Sequence, residues 1–175
     1  NLTDQILGQL YSYSPNGFFQ INLPVYEMAL REIKPWIKTA KVLDLYAGVG
    51  TIGLSVACDR DLILVECDKS AYREMTQNCH GTSAQPILAK SEEALEYVQT
   101  DQTVIVDPPR AGCQPELLAK FLEVTPQTII YLSCNPATQA RDTKILLEKY
   151  QIVKIAPFNF FPRTPHLENL LILER

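Results

Sequence analysis

The chain has 175 residues and 19.7 kDa, with 16 basic against 20 acidic side chains, a net charge of −4 and a pI near 5.2. Its 46 % hydrophobic and 21 % charged residues are those of one globular domain, which excludes disordered and fibrous classes. The acidic total weighs against unaided nucleic-acid binding, because phosphates are gripped by Lys and Arg clusters, and no run approaches the ~20 apolar residues of a spanning helix.

Residues 1–21 are an entry segment ending near Phe18-Phe19-Gln20, with no element assigned. Beyond it, short β-branched apolar runs alternate with helical spacing, the pattern of βαβ units on a parallel sheet. In chain order the pattern predicts a helix over Leu23–Ile37, a strand over Val42–Tyr46, a helix over Thr51–Ala57 and a strand over Leu62–Cys67. A helix over Ser70–Asn78, a strand over Pro86–Ala89, a helix over Glu92–Val98 and a strand over Val104–Val106 follow. Helix Pro115–Glu123, strand Thr128–Ser133, helix Ala137–Glu148 and strands Ile152–Ala156 and Leu170–Leu173 complete the chain. Ser91 and Pro115 supply helix-start signals. Too few residues separate the last two strands for a helix, and Pro162 and Pro165 mark a loop, so a hairpin joins them. The predicted fold is α/β: a seven-stranded, mostly parallel, doubly wound sheet with an antiparallel C-terminal hairpin strand, in one domain over residues 1–175.

Five cysteines, Cys58, Cys67, Cys79, Cys113 and Cys134, are odd in number and form no C-x-x-C pair, so neither a disulfide framework nor a metal site is indicated. That usage fits a reducing, cytoplasmic setting. Opening on Asn1 rather than Met is expected of a piece of something longer.

Chemistry concentrates at four places. Lys41 to Gly53 runs from a strand through a turn into a helix, and Gly48, Gly50 and Gly53 satisfy G-x-G-x-x-G, a turn that lets backbone approach a ligand. Such glycines also occur in turns that bind nothing. Glu66 lies sixteen residues beyond Gly50, where a carboxylate can accept both ribose hydroxyls of an adenosine cofactor, or simply be a solvated strand end. Asp44, four residues ahead of Gly48, can organise the turn and meet a cationic ligand. Val104-Ile-Val-Asp-Pro-Pro-Arg-Ala-Gly112 sets Asp107 at a strand's carboxyl end, where open α/β sheets bind ligands, although an Asx turn before prolines is the plainer alternative.

Thr128-Ile-Ile-Tyr-Leu-Ser-Cys-Asn-Pro136 puts Cys134 between a strand end and a Pro-initiated helix, whose N-terminus stabilises a nucleophilic thiolate. A small core hydrophobe is the competing role. His166 and Glu168 alternate with apolar residues at the start of the last strand, and period two places them on one face.

The stretch apolar-Asp-apolar-x-x-Gly-x-Gly resembles the first motif of class I methyltransferases, which moves the cofactor expectation from NAD to S-adenosylmethionine. Arg110 stands where amine-directed methyltransferases carry an aromatic residue, which disfavours amine methylation. Together, Gly17-Phe-Phe-Gln-Ile-Asn22, Leu43-Asp-Leu-Tyr-Ala-Gly-Val-Gly50, Val65-Glu66, Asp107-Pro-Pro-Arg-Ala-Gly112, Ser133-Cys-Asn-Pro136 and His166-Leu-Glu168 resemble the RNA 5-methyluridine methyltransferases over nearly the whole chain. The resemblance implies a Rossmann-like fold and methylation of uridine carbon 5 in tRNA or ribosomal RNA. It further implies that Gln20, Tyr46, Glu66 and Asp107 contact S-adenosylmethionine, with Gly48 and Thr51 lining the turn, that Cys134 is the nucleophile, and that Glu168 is the general base.

The family's N-terminal RNA-binding barrel and four-cysteine cluster have no counterpart in these residues, so RNA is expected to be held mainly elsewhere. Ala89-Lys90-Ser91-Glu92, where a carboxylate near the adenine is common, receives no role. Two other readings stay open: a cofactor-binding fragment without catalysis, and a cytosine-5 methyltransferase, which Asp107-Pro-Pro disfavours because those enzymes place Pro-Cys there.

Overall fold

The computed structural model describes residues 2–15, 17–164 and 167–175. Among the described residues nine strands form two sheets: a hairpin of β1 (Leu2–Ile6) and β2 (Gln9–Tyr13), and a seven-stranded sheet in the order β5-β4-β3-β6-β7-β9-β8. β3 (Lys41–Leu45), β4 (Asp61–Glu66), β5 (Gln85–Leu88), β6 (Gln102–Val106) and β7 (Thr128–Ser133) are parallel. β9 (Glu168–Glu174) runs antiparallel to both β7 and β8 (Gln151–Phe158), so the hairpin folds back and inserts its second strand next to β7. The mostly parallel, seven-stranded expectation is borne out, with the antiparallel strand second from the edge.

Parallel strands covered on both faces read as continuous apolar runs, and every residue of β6 and β7 is buried. Alternate side chains feed two cores. On one face Val42, Leu62, Leu64, Ile105, Ile130 and Ile172 pack under α1 (Leu23–Ile33), α2 (Thr51–Ala57) and α3 (Lys69–Asn78). On the other, Leu43, Leu45, Val104, Val106, Ile129 and Leu173 meet Leu117, Leu118 and Phe121 of α4 (Pro115–Val124) and Leu146 of α5 (Pro136–Leu146).

Three local differences from the sequence pattern have physical causes. The entry segment contains the β1–β2 hairpin, turning through Leu7 (φ +49°) and Gly8 (φ +86°). The unfavourable Leu7 backbone is held where its N–H donates to Glu27 Oε1 at 2.8 Å. The hairpin is bolted to the main domain by Tyr11 Oη with Ser55 Oγ at 2.6 Å, and by Asn78, which accepts from Ser12 N–H and donates to Val49 O. The first predicted helix ends at Ile33 and continues as a 3₁₀ turn over Lys34–Trp36, because Pro35 lacks an N–H and crowds the preceding turn. The predicted helix Glu92–Val98 is instead two 3₁₀ turns, Ser91–Glu93 and Leu95–Tyr97. The Ser91 hydroxyl receives the Tyr46 N–H rather than capping its own turn, which is left without a side-chain cap.

At Gly53 a Cβ would lie 2.8 Å from Asp44 Oδ2 and 3.1 Å from Leu64 Cδ2. Gly53→Ala therefore loses stability by roughly 1–3 kcal/mol through overpacking, although alanine is the better helix former by ~1 kcal/mol; urea unfolding of the two proteins measures the sign.

Candidate active site

The carboxyl ends of β3, β4, β6 and β7 and the amino end of β9 lie along one edge of the main sheet, as their registers require. A cavity of about 840 Å³ opens there, and it is lined by Gln20, Tyr46, Gly48, Thr51, Glu66, Asp107, Cys134 and Glu168, the eight residues to which the family resemblance gives a role. Phe18, Phe19, Lys90, Ser91, Glu92 and Arg110 complete much of the wall. His166 lies outside the described residues.

On the β3–β4 side the glycine turn is braced by acids. Asp44, 1 % exposed, accepts the Gly53 N–H at 2.8 Å through Oδ2, while its Oδ1 is buried without a hydrogen bond among the described residues. Asp44 thus organises the turn from behind it and is not among the residues lining the cavity. Burial, with the nearby Glu66 charge adding to it and the Gly53 N–H opposing it, pushes its carboxyl up to about 7. Glu66 bridges two loops, accepting Gly48 N–H at 2.9 Å and Asp68 N–H at 2.6 Å. Thr51 Oγ1 shares a hydrogen bond of 2.8 Å with Tyr26 Oη. Gln20 reaches the cavity from the entry segment, 8 % exposed, with Oε1 buried and unpaired among the described residues. Its segment is held by Tyr13 stacked on Phe19 at 4.0 Å and by Asn22 Nδ2 donating to Phe160 O.

On the β6–β7–β9 side stand Asp107, Arg110, Cys134 and Glu168. Burial, then the Glu168 and Asp44 charges, hold the Asp107 carboxyl well above the usual carboxylate range. Glu168, 4 % exposed, is pushed up to about 7 by burial, with the Arg110 guanidinium drawing it down. The Cys134 thiol is half-buried and directly precedes Asn135, the N-cap of α5. Its acidity departs from the sequence expectation: burial and the Glu168 and Asp107 charges push it up, and Arg110, which also hydrogen-bonds it, opposes them. A helix N-terminus acts over one turn, and burial together with the two neighbouring acids outweighs it.

Arg110 lines the cavity and hydrogen-bonds the Cys134 thiol, although in the sequence it stands out only for the aromatic residue it replaces. A guanidinium in the same motif as Asp107, facing a candidate thiolate, was the available signal. Lys90, Ser91 and Glu92, given no role from sequence, border the cavity, and Ser91 Oγ accepts the Tyr46 N–H at 3.2 Å.

Two outcomes follow. Because the Glu168 pKa lies above its unfolded value of 4.5, the ionised carboxyl destabilises the fold progressively as pH rises from 4.5 through about 7. Glu168→Gln therefore gains stability relative to the parent between these limits, on the order of 2 kcal/mol by pH 8 and nothing below pH 4; unfolding free energies at several pH values check it. Site-resolved alkylation of Cys134 at pH 8 is slower in Arg110→Ala and faster in Glu168→Gln, since the guanidinium favours the reactive thiolate and the neighbouring carboxylate disfavours it.

The geometry has relatives. The model of the tRNA (uracil-5-)-methyltransferase family matches residues 93–175, the stretch that holds Asp107, Arg110, Cys134 and Glu168. An uncharacterized RNA methyltransferase of Lactobacillus johnsonii is 37 % identical over 99 % of this chain and 41 % of its own length. One from Staphylococcus aureus is 35 % identical over 98 % of this chain and 40 % of its own length. The chain thus spans about two fifths of the length of the curated relatives it matches. Among solved structures, Pyrococcus abyssi tRNA (uracil-54, C5)-methyltransferase in complex with S-adenosyl-L-homocysteine superimposes with a TM-score of 0.90 and 34 % identity, covering 98 % of this chain and 44 % of that one. The fold is shared more distantly: M. jannaschii tRNA m1G37 methyltransferase aligns with a TM-score of 0.72 at 14 % identity, over 98 % of this chain and 56 % of that one, a likeness of fold alone. With the uracil-5 family model falling on the β6–β9 half of the site and relatives of this identity spanning the remainder, the chain belongs to the RNA (uracil-5-)-methyltransferase family, as its catalytic domain.

Proposed function

We propose that this domain methylates carbon 5 of a uridine in tRNA or ribosomal RNA, using S-adenosylmethionine and a covalent Cys134 adduct. The observation that carries the proposal is the meeting of Cys134, Glu168, Asp107 and Arg110 in the same cavity as the glycine turn. The residues present fit the cofactor: Gln20 offers a buried, unpaired acceptor, Glu66 stands at the turn, and the space a Cβ would occupy at Gly48 is open. A wall rich in carboxyls complements a sulfonium and an α-ammonium. Gln20, Tyr46, Gly48, Thr51, Glu66 and Asp107 would hold the cofactor, which when bound supplies an electrophilic methyl group. The S-adenosyl-L-homocysteine complex of the Pyrococcus abyssi relative supports this assignment.

Carbon 5 of uracil is a poor nucleophile, and Cys134 supplies what it lacks. Its thiolate, favoured by Arg110, adds to carbon 6, and the electron pair of the C5=C6 bond moves toward the carbon 4 oxygen. Carbon 5 then carries the density needed for substitution. Once it is substituted, Glu168 takes the carbon 5 proton, that bond's electron pair re-forms C5=C6, and the C6–S bond breaks to return the Cys134 thiolate. A Glu168 pKa of about 7 suits a base working near neutral pH. A uridine in folded RNA has to leave its stack to reach the cavity. With a net charge of −4 on these 175 residues, most of the grip on RNA belongs to regions beyond them.

In the full-length protein, Cys134→Ala abolishes methyl transfer into RNA from cells lacking the gene, leaves cofactor affinity within about threefold, and forms no denaturant-stable adduct with 5-fluorouracil RNA. Glu168→Gln accumulates a covalent RNA complex. Normal adduct formation by Cys134→Ala overturns the nucleophile assignment, and mapping of the methylated position identifies the RNA.

A further inference from the structure

Helix α5 does more than follow Cys134. Gln139, 2 % exposed, donates through Nε2 to Tyr131 O at 2.8 Å and to Asn169 O at 3.0 Å, and its Oε1 accepts from Asn169 Nδ2 at 2.6 Å. Both amide hydrogens and the amide oxygen are therefore engaged in the interior, where a methionine or leucine of similar size fills the volume without desolvating polar atoms. The partners are informative. Tyr131 lies on β7, three residues before Cys134, and Asn169 directly follows Glu168 on β9.

The sheet ladder alone leaves Glu168 tied on one side. β9 pairs with β7 only as far as Ser133 with Asn169, while Glu168 itself is paired with Phe158 of β8. Tyr131, by contrast, is paired on both sides, with Val106 and with Leu171, so the strand leading to Cys134 is secure without Gln139. Asn135 Oδ1, which caps α5 at Ala137 N–H, adds a further restraint next to the thiol. The Gln139–Asn169 amide pair is thus the side-chain tie that draws the start of β9 toward β7.

We propose that Gln139 is a positioning residue that sets Glu168 beside Cys134, acting through Asn169 on the second half of the reaction. This rests on the function proposed above. In that half the carboxylate takes the carbon 5 proton, the freed electron pair closes C5=C6, and the thiolate leaves carbon 6. Displacing Glu168 slows this elimination, whereas the addition of Cys134 to carbon 6 proceeds with its own strand and cap intact.

The test is a single-turnover reaction of the full-length protein with unmodified substrate RNA and methyl-labelled cofactor, quenched at intervals and resolved on denaturing gels, so that the protein–RNA adduct is seen to rise and fall. Gln139→Met, which fills the volume and removes all three bonds, slows adduct decay by about 10- to 100-fold while leaving adduct formation and cofactor affinity within about threefold. Asn169→Ala, at a half-buried position, removes one bond, produces the same split to a smaller degree, and carries the test alone where Gln139→Met fails to fold. Decay at the parental rate in the folded variants, or formation and decay slowed alike, overturns the positioning role. A parent protein that forms neither adduct nor methylated RNA overturns the underlying function instead, whatever the variants do.

Discussion

The antiparallel pairing of Ser133 with Asn169 is the contact on which the site depends. Cys134 follows Ser133 at the end of a parallel strand, and Glu168 precedes Asn169 at the start of an antiparallel one, so their meeting requires β9 to run against β7. Were the last strand parallel, Glu168 would sit at the opposite edge of the sheet, a strand length away. Folding the C-terminal hairpin inward, with β9 between β7 and β8, converts a sequence separation of more than thirty residues into adjacency.

The second constraint is electrostatic. Asp44 and Glu168 are buried and Asp107 half-buried at one end of the sheet, and each is held above the usual carboxylate range by desolvation, with neighbouring acids adding to it at Asp44 and Asp107. Arg110 opposes this at both Glu168 and Cys134. Such a pocket is unstable toward anions and welcomes a cation, which matches the charge of the proposed cofactor. The buried Asp44 also shows how one carboxylate serves the fold: it ties β3 to the first turn of α2 and leaves the cavity wall to Gly48 and Glu66.

Much of this was legible in the chain. Uninterrupted β-branched runs can be neither solvated nor amphipathic, so they announce a parallel sheet covered on both faces, and the glycine turn, Asp107-Pro-Pro and Ser-Cys-Asn-Pro each follow such a run. The β1–β2 hairpin was not legible, because the first of its two positive-φ turn residues is Leu7, which disfavours that conformation, and its stability comes from Glu27, Ser55 and Asn78, all distant in sequence. The two 3₁₀ turns near Ser91 escaped for a related reason: their would-be cap is spent on Tyr46, 45 residues earlier.

What the amino-acid order determined by itself is which residues end up at strand termini, since hydrophobic period and turn chemistry are local. It therefore carried the fold class and the identities of Cys134, Asp107, Glu66 and Glu168. What only the tertiary structure decided is how those groups perturb one another: the Cys134 thiol raised where a helix N-terminus alone would lower it, the turning of Arg110 toward that thiol, and the Gln139 tie to β9. Charge interaction in a low-dielectric cavity depends on distances between segments remote in the chain, and no local pattern encodes those distances.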